Sequence, residues 1–145
     1  MIVYRPAVSG DAAALAELCA ACLPQPWSAD AFASQMDKSG FLPTAWERDR
    51  LVGFAVAVPE GDAGYLDLIA VDPAYRRQGI AKTLLAAAED WCRGQGLSRL
   101  LLEVRASNAA AQAFYAAQEY ETLVRRRGFY DFPREDGLTM QKVIL

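Results

Sequence analysis

Residues 69–81 read Ile69-Ala70-Val71-Asp72-Pro73-Ala74-Tyr75-Arg76-Arg77-Gln78-Gly79-Ile80-Ala81, and no other stretch of the chain is as informative. It consists of an apolar strand, a turn marked by proline, and a basic, glycine-containing loop that opens a long helix. The first turn of a helix has unpaired backbone N–H groups and the positive end of the helix dipole, which together attract anions. Small residues in the loop let the backbone approach such an anion, and three cations add positive charge: Arg76, Arg77 and Lys82. The stretch therefore predicts a phosphate-binding site.

The bulk composition fits a single domain, which we assign to residues 1–145. The formal net charge of −3 argues against direct contact with nucleic acid, because nucleic-acid-binding surfaces are usually basic. No apolar run approaches the ~20 residues that span a bilayer, and the start of the chain lacks the features of a signal peptide. We therefore expect a cytoplasmic enzyme or binding module without membrane contact. The sequence leaves its oligomeric state open.

The chain contains no histidine, which limits the chemistry it can perform. Catalysis by Ser-His-Asp or Cys-His arrangements is excluded, and the commonest protein ligand for metal ions is missing. We therefore expect no metal. Any proton transfer has to use a carboxylate, tyrosine, lysine, cysteine or water.

Cys19 and Cys22 form a Cys-x-x-Cys pattern that could indicate a redox pair or part of a zinc site. A redox pair normally opens a helix, whereas these residues close one, and zinc needs four ligands. With Leu15 and Leu18 they also follow the spacing of a buried helical stripe. We interpret both cysteines as core residues.

Hydrophobic periodicity and turn residues predict an α/β fold (α+β by some schemes) with a mixed central sheet of about six to seven strands, flanked by helices on both faces. Helices are predicted from a cap at Asp11 to just before Pro24, from a cap at Ser28 to about Met36, from Gly79 to about Arg93, and from a cap at Asn108 to about Gln118. Strands are predicted at residues 2–5, 44–47, 51–58, 65–71, 100–104, 121–126 and 138–143. The nearly continuous apolar run at 100–104 is typical of a strand covered on both faces.

Two common phosphate-binding motifs do not match. Walker A requires a glycine directly before its lysine, whereas Ala81 precedes Lys82. The dinucleotide fingerprint requires G-x-G-x-x-G at the start of a helix, whereas Gly94-x-Gly96 ends a helix and Arg99 occupies the third position. Neither nucleotide hydrolysis nor hydride transfer is therefore indicated.

Residues 76–81 instead match the pattern Arg/Gln-x-x-Gly-x-Gly/Ala. Together with residues 69–75 they resemble the acetyl-CoA-binding segment of the GCN5-related N-acetyltransferases (GNAT). A second segment, Leu102-Glu103-Val104-Arg105-Ala106-Ser107-Asn108-Ala109-Ala110-Ala111 followed by Phe114-Tyr115, resembles the RimI-type ribosomal-protein-alanine N-acetyltransferases. The resemblance extends over residues 24–140 and includes Pro26-Trp27-Ser28 and Arg134-Glu135-Asp136.

The resemblance implies the GNAT fold and an enzyme that uses acetyl-CoA as co-substrate. Its acceptor would be the N-terminal amine, most often of alanine, of a ribosomal protein. Two alternatives remain open: an acetyltransferase for lysine side chains or small amines on the same fold, and a catalytically silent acetyl-CoA sensor.

Glu103 is the candidate general base. It interrupts an apolar strand, where an unpaired carboxylate is costly unless it faces a cleft or a partner. The alternative from the residues alone is an ion pair with Arg105, which shares its strand face. The resemblance supports the first reading, because this position matches the family's proton acceptor. Asp67 is a competing base, since it lies two residues before Ile69 and so shares a strand face with it.

The resemblance assigns the remaining site residues. Tyr115, at the family's spacing from Asn108, would be the general acid, and Asn108 would bind the pantetheine arm. The backbone of the segment before the turn would pair with the pantetheine amides like an added strand: Ile69, Ala70 and Val71. The loop that follows would hold the pyrophosphate: Arg77, Gln78, Gly79, Ile80, Ala81 and Lys82.

The chain departs from the family in two places. Glu119 replaces a glycine, so we expect a differently shaped helix end there. Residues 128–133 are shorter than the family's loop before the acidic pair Glu135 and Asp136, which could favour a basic peptide or face solvent. Arg125-Arg126-Arg127 is interpreted as a solvated strand edge rather than as an RNA contact.

Overall fold

One seven-stranded sheet forms the centre of the molecule, and the computed structural model describes every residue from 1 to 145. The strands are β1 (Val3–Pro6), β2 (Pro43–Glu47), β3 (Arg50–Glu60), β4 (Ala63–Val71), β5 (Arg99–Arg105), β6 (Glu121–Tyr130) and β7 (Glu135–Val143). Their order across the sheet is β1-β2-β3-β4-β5-β7-β6. All neighbours are antiparallel except β4 and β5, which are parallel. The mixed sheet predicted from the sequence is confirmed, and it has seven strands rather than six.

Four α-helices cover the sheet: α1 (Ala12–Cys22), α2 (Ala29–Met36), α3 (Ile80–Gly94) and α4 (Ala109–Ala117). Two of the three predicted caps are present, because Ser28 accepts a hydrogen bond from the N–H of Ala31 at 3.1 Å and Asn108 accepts one from Ala111 at 3.0 Å. The third prediction is wrong: Asp11 precedes α1, but its carboxylate accepts from the N–H of Val8 and pairs with Arg5 instead of capping the helix. None of the helices is long and apolar enough to cross a membrane.

The helices bury two hydrophobic clusters, one on each face of the sheet. On one face α3 buries Leu84 and Leu85 against strand residues such as Leu100. On the other face α1 and α2 bury a cluster in which Phe32 and Phe54 meet edge to face with ring centroids 5.3 Å apart. Each fully buried side chain of this size contributes about 1.5–3 kcal/mol to folding. The prediction that helices flank both faces of the sheet is therefore confirmed.

The two cysteines of α1 have different environments. Cys19 is fully buried in the second cluster, as predicted, and its sulfur accepts a hydrogen bond from the Trp27 N–H at 3.4 Å. Cys22, one turn later, is only half-buried, and its thiol lies 3.5 Å from the carbonyl oxygen of Val71. The prediction that Cys22 belongs to the core is therefore wrong in part, because α1 ends where an open cleft begins.

The expectation that β5 is covered on both faces is wrong. Leu100, Leu102 and Val104 are buried, whereas the residues between them are half-buried. Their alternation has period two, which is typical of a strand with one covered face. The apolar Leu101 masks this alternation in the sequence.

β6 is the last strand of the sheet, and residues 121–127 are all exposed. This confirms the prediction that Arg125, Arg126 and Arg127 form a solvated strand edge. The Arg125 guanidinium pairs with Asp136 at 2.8 Å, and Arg126 donates to the Thr139 hydroxyl at 2.8 Å.

The parallel strands β4 and β5 stay together for only two registered pairs, Gly64↔Leu100 and Tyr65↔Leu101. Beyond them β4 contains a bulge: Leu66 pairs with Ala57 and Leu68 with Val56, so Asp67 has no partner on β3. A bulge bends its strand and increases the local twist. The bulge thus accompanies the separation of β4 from β5, which opens a cleft between them.

The end of α4 forms a Schellman motif despite the missing glycine. The N–H of Tyr120 bonds to the carbonyl oxygen of Tyr115, and that of Glu119 bonds to Ala116, each at 3.0 Å. Glu119 accordingly takes φ of 72°. The expectation of a differently shaped helix end is therefore wrong, because the paired carbonyl groups hold a glutamate in the left-handed conformation that glycine adopts more readily.

Replacement of Glu119 by glycine is expected to stabilise the protein. Left-handed backbone costs a residue with a side chain about 1–2 kcal/mol, part of which is offset by the greater freedom of glycine in the unfolded chain. Glu119→Gly should therefore raise the free energy of unfolding by about 1 kcal/mol and Tm by about 3 °C, measured by urea and thermal unfolding.

The matched control is Glu17→Gly, since Glu17 is exposed within α1 and has ordinary helical geometry. It should lower the free energy of unfolding by about 1 kcal/mol. Equal destabilisation by both substitutions would contradict the assignment of strain to Glu119.

Candidate active site

The gap between β4 and β5 is a cleft of about 550 Å³. Its walls come from five parts of the chain: the end of α1 with the segment after it, the separating part of β4, that of β5, α4 with its cap, and the end of β6. It brings together five of the residues that the sequence analysis singled out: Asp67, Ile69, Glu103, Asn108 and Tyr115.

Glu103 lies in this cleft with its two carboxylate oxygens in different situations. Oε1 accepts a hydrogen bond from the Tyr65 hydroxyl at 2.8 Å. Oε2 is buried and has no partner, and it is the only buried side-chain polar atom in the protein of which this is true. Leaving a buried acceptor unpaired costs about 1–3 kcal/mol, and more for a charged group. Such a cost is explained if a ligand donor occupies the cleft.

The alternative ion pair between Glu103 and Arg105 is not formed. The Arg105 guanidinium instead lies 3.3 Å from Glu135 and donates to the carbonyl oxygen of Pro133 at 2.9 Å. It also lies over the ring of Tyr130, 4.4 Å from the centroid. Arg105 therefore fastens the β6–β7 hairpin to β5 and leaves Glu103 without a cation.

The acidic pair of the hairpin also has a local role. Glu135 accepts from the N–H of Ser107 at 2.7 Å, and Asp136 accepts from the N–H of Gly128 at 2.9 Å. Hydrogen bonds from Ser107 and Arg105 lower the pKa of Glu135, and those from Gly128 and Arg125 lower the pKa of Asp136. The carboxylates are thus bound within the hairpin region rather than directed at an acceptor peptide.

Tyr115 both packs in the core and lines the cleft. Its ring is only 6 % exposed and meets Phe114 and Tyr120 edge to face, with centroids 5.1 and 5.7 Å away. Burial raises the pKa of Tyr115 to about 12. The phenol is therefore protonated at neutral pH and available as a hydrogen-bond donor on the cleft wall.

Asp67 occupies the bulge of β4, also on the wall of the cleft. The residue is exposed and forms no ion pair, yet nearby protein atoms partly desolvate its carboxyl group and, with Glu60, raise its pKa. The bulge also interrupts the alternation of faces, since Leu66 and Leu68 pack into different clusters. The two-residue spacing therefore does not assign Asp67 and Ile69 to one face.

The edge of β4 that faces the cleft has unpaired backbone groups. The Val71 carbonyl lies on this side, since it is reached by the Cys22 thiol, whereas the N–H of Asp72 bonds to β3. Backbone groups alternate along a strand, so Ile69 points to the cleft with Val71, and Ala70 between them points to β3. This edge can pair with an extended ligand.

The predicted anion site follows directly at the carboxyl end of β4. Gly79 precedes α3 with φ of 79°, and open space lies where a Cβ would stand. Unlike α2 and α4, α3 has no side-chain cap, and the N–H groups of Gln78 and Gly79 donate to no backbone acceptor. Arg77 also takes a positive φ, 64°. Alternating conformations of this kind direct successive N–H groups toward one anion.

Sequence reasoning missed two parts of the cleft wall, Tyr130 and the segment Cys22–Gln25. It also missed Tyr65, whose hydroxyl binds Glu103. The one signal in the sequence was that Tyr65 and Tyr130 each place a hydroxyl group in an otherwise apolar or aromatic strand segment. A buried tyrosine hydroxyl needs a polar partner. Which partner it finds depends on strand register, which the sequence does not reveal. The structure contains no cluster of three or more His, Cys, Asp or Glu side chains that could bind a metal ion.

Comparison with known proteins places this geometry in a family. The sequence profile of the Acetyltransferase (GNAT) family matches residues 12–120, about three quarters of the chain. The ribosomal protein bS18-alanine N-acetyltransferase of Escherichia coli (strain K12) is 37% identical over 117 residues, covering 79% of each chain.

Solved structures agree with the sequence comparison. The crystal structure of the ribosomal-protein-S18-alanine N-acetyltransferase from Escherichia coli superposes with a TM-score of 0.89 at 32% identity, covering 99% of this chain and 94% of that one. Arabidopsis thaliana NAA60, crystallised in complex with acetyl-CoA, superposes with a TM-score of 0.88 over 99% of each chain; at 20% identity it supports the fold alone. The chain is an acyltransferase, and it belongs to the GNAT family of acetyltransferases.

Proposed function

We propose that this protein transfers the acetyl group of acetyl-CoA to the N-terminal amine of a ribosomal protein, with alanine as the acceptor residue. The observation that carries the proposal is the unpartnered Oε2 of Glu103 in the cleft between β4 and β5. The Escherichia coli relatives named above are alanine N-acetyltransferases of a ribosomal protein, which supports the same acceptor here. Such a substrate would be met in the cytoplasm.

In this proposal Glu103 accepts the proton of the attacking amine. The pKa of an α-amino group is ~7.7–8.0, against ~10.4 for lysine, so far more of a terminal amine is already neutral near pH 7. A single carboxylate, acting directly or through one water molecule, then suffices as base. The new bond joins the amine nitrogen to the acetyl carbon as the carbon–sulfur bond breaks, and the released proton goes to Oε2.

Tyr115 would donate to the sulfur atom of the departing thiolate. The phenol has a pKa of about 12, and the thiol that forms from the thiolate has a pKa of ~8.5. Full proton transfer therefore costs about 3.5 pKa units, or about 5 kcal/mol of free energy. We therefore assign Tyr115 primarily to hydrogen-bond stabilisation of the charge that develops on sulfur, with proton transfer favoured only as far as the site assists it.

The same proposal assigns acetyl-CoA to the anion loop, the free edge of β4 and the cleft. The pyrophosphate would bind at residues 77–82, and the pantetheine amides would pair with the cleft-facing backbone of Ile69 and Val71. Asn108 caps α4 through its side-chain oxygen, so its NH₂ group remains free to donate to the pantetheine arm. No step requires a metal ion.

The acceptor is tested with two short peptides incubated with enzyme and acetyl-CoA and analysed by intact mass. One peptide begins with free alanine, and the other has a blocked N-terminus and an internal lysine. We expect a gain of one acetyl group on the first peptide alone. Acetylation of the second alone would replace the proposal with lysine acetylation, and acetylation of neither would contradict a peptide acceptor.

The catalytic base is tested by Glu103→Gln and Asp67→Asn, which remove each negative charge at nearly constant volume. Glu103→Gln should lower kcat about 100-fold or more, the usual contribution of a positioned base. Asp67→Asn should lower kcat less than tenfold, because Asp67 is exposed. The reverse order of effects, measured by the rate of thiol release with the alanine peptide, would make Asp67 the base.

The anion loop is tested by Gly79→Ala. The substitution strains a residue with φ of 79° and adds a methyl group where the phosphate would approach, so Kd for acetyl-CoA should rise about tenfold in calorimetry. The control is Gly94→Ala, which also adds a methyl group to open space, but at an ordinary φ at the far end of α3. Equal affinity of the two variants would argue against the loop as the phosphate site.

A further inference from the structure

The Tyr65 hydroxyl is the only protein donor to Glu103, and it reaches the carboxylate from the neighbouring strand. Tyr65 and Leu101 form the last registered pair before β4 and β5 separate, and Glu103 lies two residues farther along β5. Residues two apart on a strand share a face, so the phenol extends diagonally across the point of separation. The two oxygens are 2.8 Å apart.

This hydrogen bond distinguishes the two oxygens of the carboxylate. Oε1 is held by Tyr65, and Oε2 is left buried without a partner. A freely rotating glutamate would turn such an oxygen toward water or toward a protein donor, because an unpaired buried charge is unfavourable. The bond from Tyr65 opposes that rotation and keeps Oε2 in the cleft.

The donor is neutral, which matters for a group that has to accept a proton. Burial and the bond to Glu103 raise the pKa of Tyr65, so the phenol stays protonated and donates rather than acting as a base. A guanidinium group would favour the charged carboxylate more strongly and make it a weaker base. The guanidinium of Arg105, two residues farther along β5, is bound to Glu135 instead.

We propose that Tyr65 is a positioning residue that fixes the Glu103 carboxylate with Oε2 directed at the acceptor amine. This role rests on the acetyl transfer proposed above and adds a residue of the opposite strand to it. Separation of β4 from β5 would then create the cleft. The hydrogen bond that orients Glu103 would form where the two strands begin to separate.

The substitution Tyr65→Phe removes one oxygen atom and leaves the other charged and titratable side chains around Glu103 in place. Those groups come from five elements: Asp67 of β4, Arg105 of β5, Tyr130 of β6, Tyr115 of α4 and Cys22 of α1. We expect kcat with the alanine peptide to fall about tenfold and KM for acetyl-CoA to stay unchanged. The acidic limb of the pH profile should move to higher pH, because the lost bond favoured the charged carboxylate.

The control is Tyr120→Phe, since the Tyr120 hydroxyl also donates to a glutamate, Glu89, at 2.8 Å but outside the cleft. It should keep the kcat and the pH profile of the parent protein. If Tyr65→Phe behaved like this control, the positioning role would be refuted.

A second measurement is independent of the acceptor. The side-chain carboxyl carbon of Glu103 is titrated by ¹³C NMR in substrate-free protein and identified by its absence in Glu103→Gln. Its titration should move to higher pH in Tyr65→Phe but not in Tyr120→Phe. An unchanged titration in Tyr65→Phe would overturn the inference even if the parent protein acetylated no peptide. If neither peptide were acetylated but the titration shifted, the result would count against the proposed acceptor alone. A shifted titration with unchanged kcat would also overturn the positioning role.

Discussion

The separation of two parallel strands is the constraint on which the rest of the site depends. β4 and β5 share two registered pairs and then diverge, yet each is paired along its other edge, β4 with β3 and β5 with β7. The gap is therefore held open by sheet structure on both sides rather than by loops. Its walls combine unpaired backbone of one strand with alternating side chains of the other, so an extended ligand and a reacting group can be held side by side.

The charged groups around the cleft are arranged so that the Glu103 carboxylate has no cation partner. Arg105 lies two residues after Glu103 on β5 and could have neutralised it, but the hairpin carboxylate of Glu135 binds it. Asp136 is likewise bound by Gly128 and Arg125. The β6–β7 hairpin thus affects the cleft indirectly: by binding the cation of β5, it leaves Glu103 with a neutral donor.

Local sequence signals predicted most of the fold, because caps, turns and hydrophobic periodicity act within a few residues. Ser28 and Asn108 cap the helices that the sequence assigns to them, and the strand–loop–helix at residues 69–81 has the predicted form. The missed features depend on pairing between distant strands. The bulge at Asp67, the register that brings Tyr65 to Glu103, and the binding of Arg105 by the hairpin cannot be read from spacing along one strand.

Unsatisfied polar groups are concentrated at one place in an otherwise well-paired molecule. The start of α3 has no side-chain cap, β4 has a free edge beyond Tyr65, and Oε2 of Glu103 has no partner. The start of α2, away from the cleft, is by contrast capped by Ser28. The strain at Glu119 differs, since it lies in a paired helix end outside the cleft. Missing partners, rather than strain, therefore mark the site: a ligand with a phosphate, amides and an amine would complete every one of them.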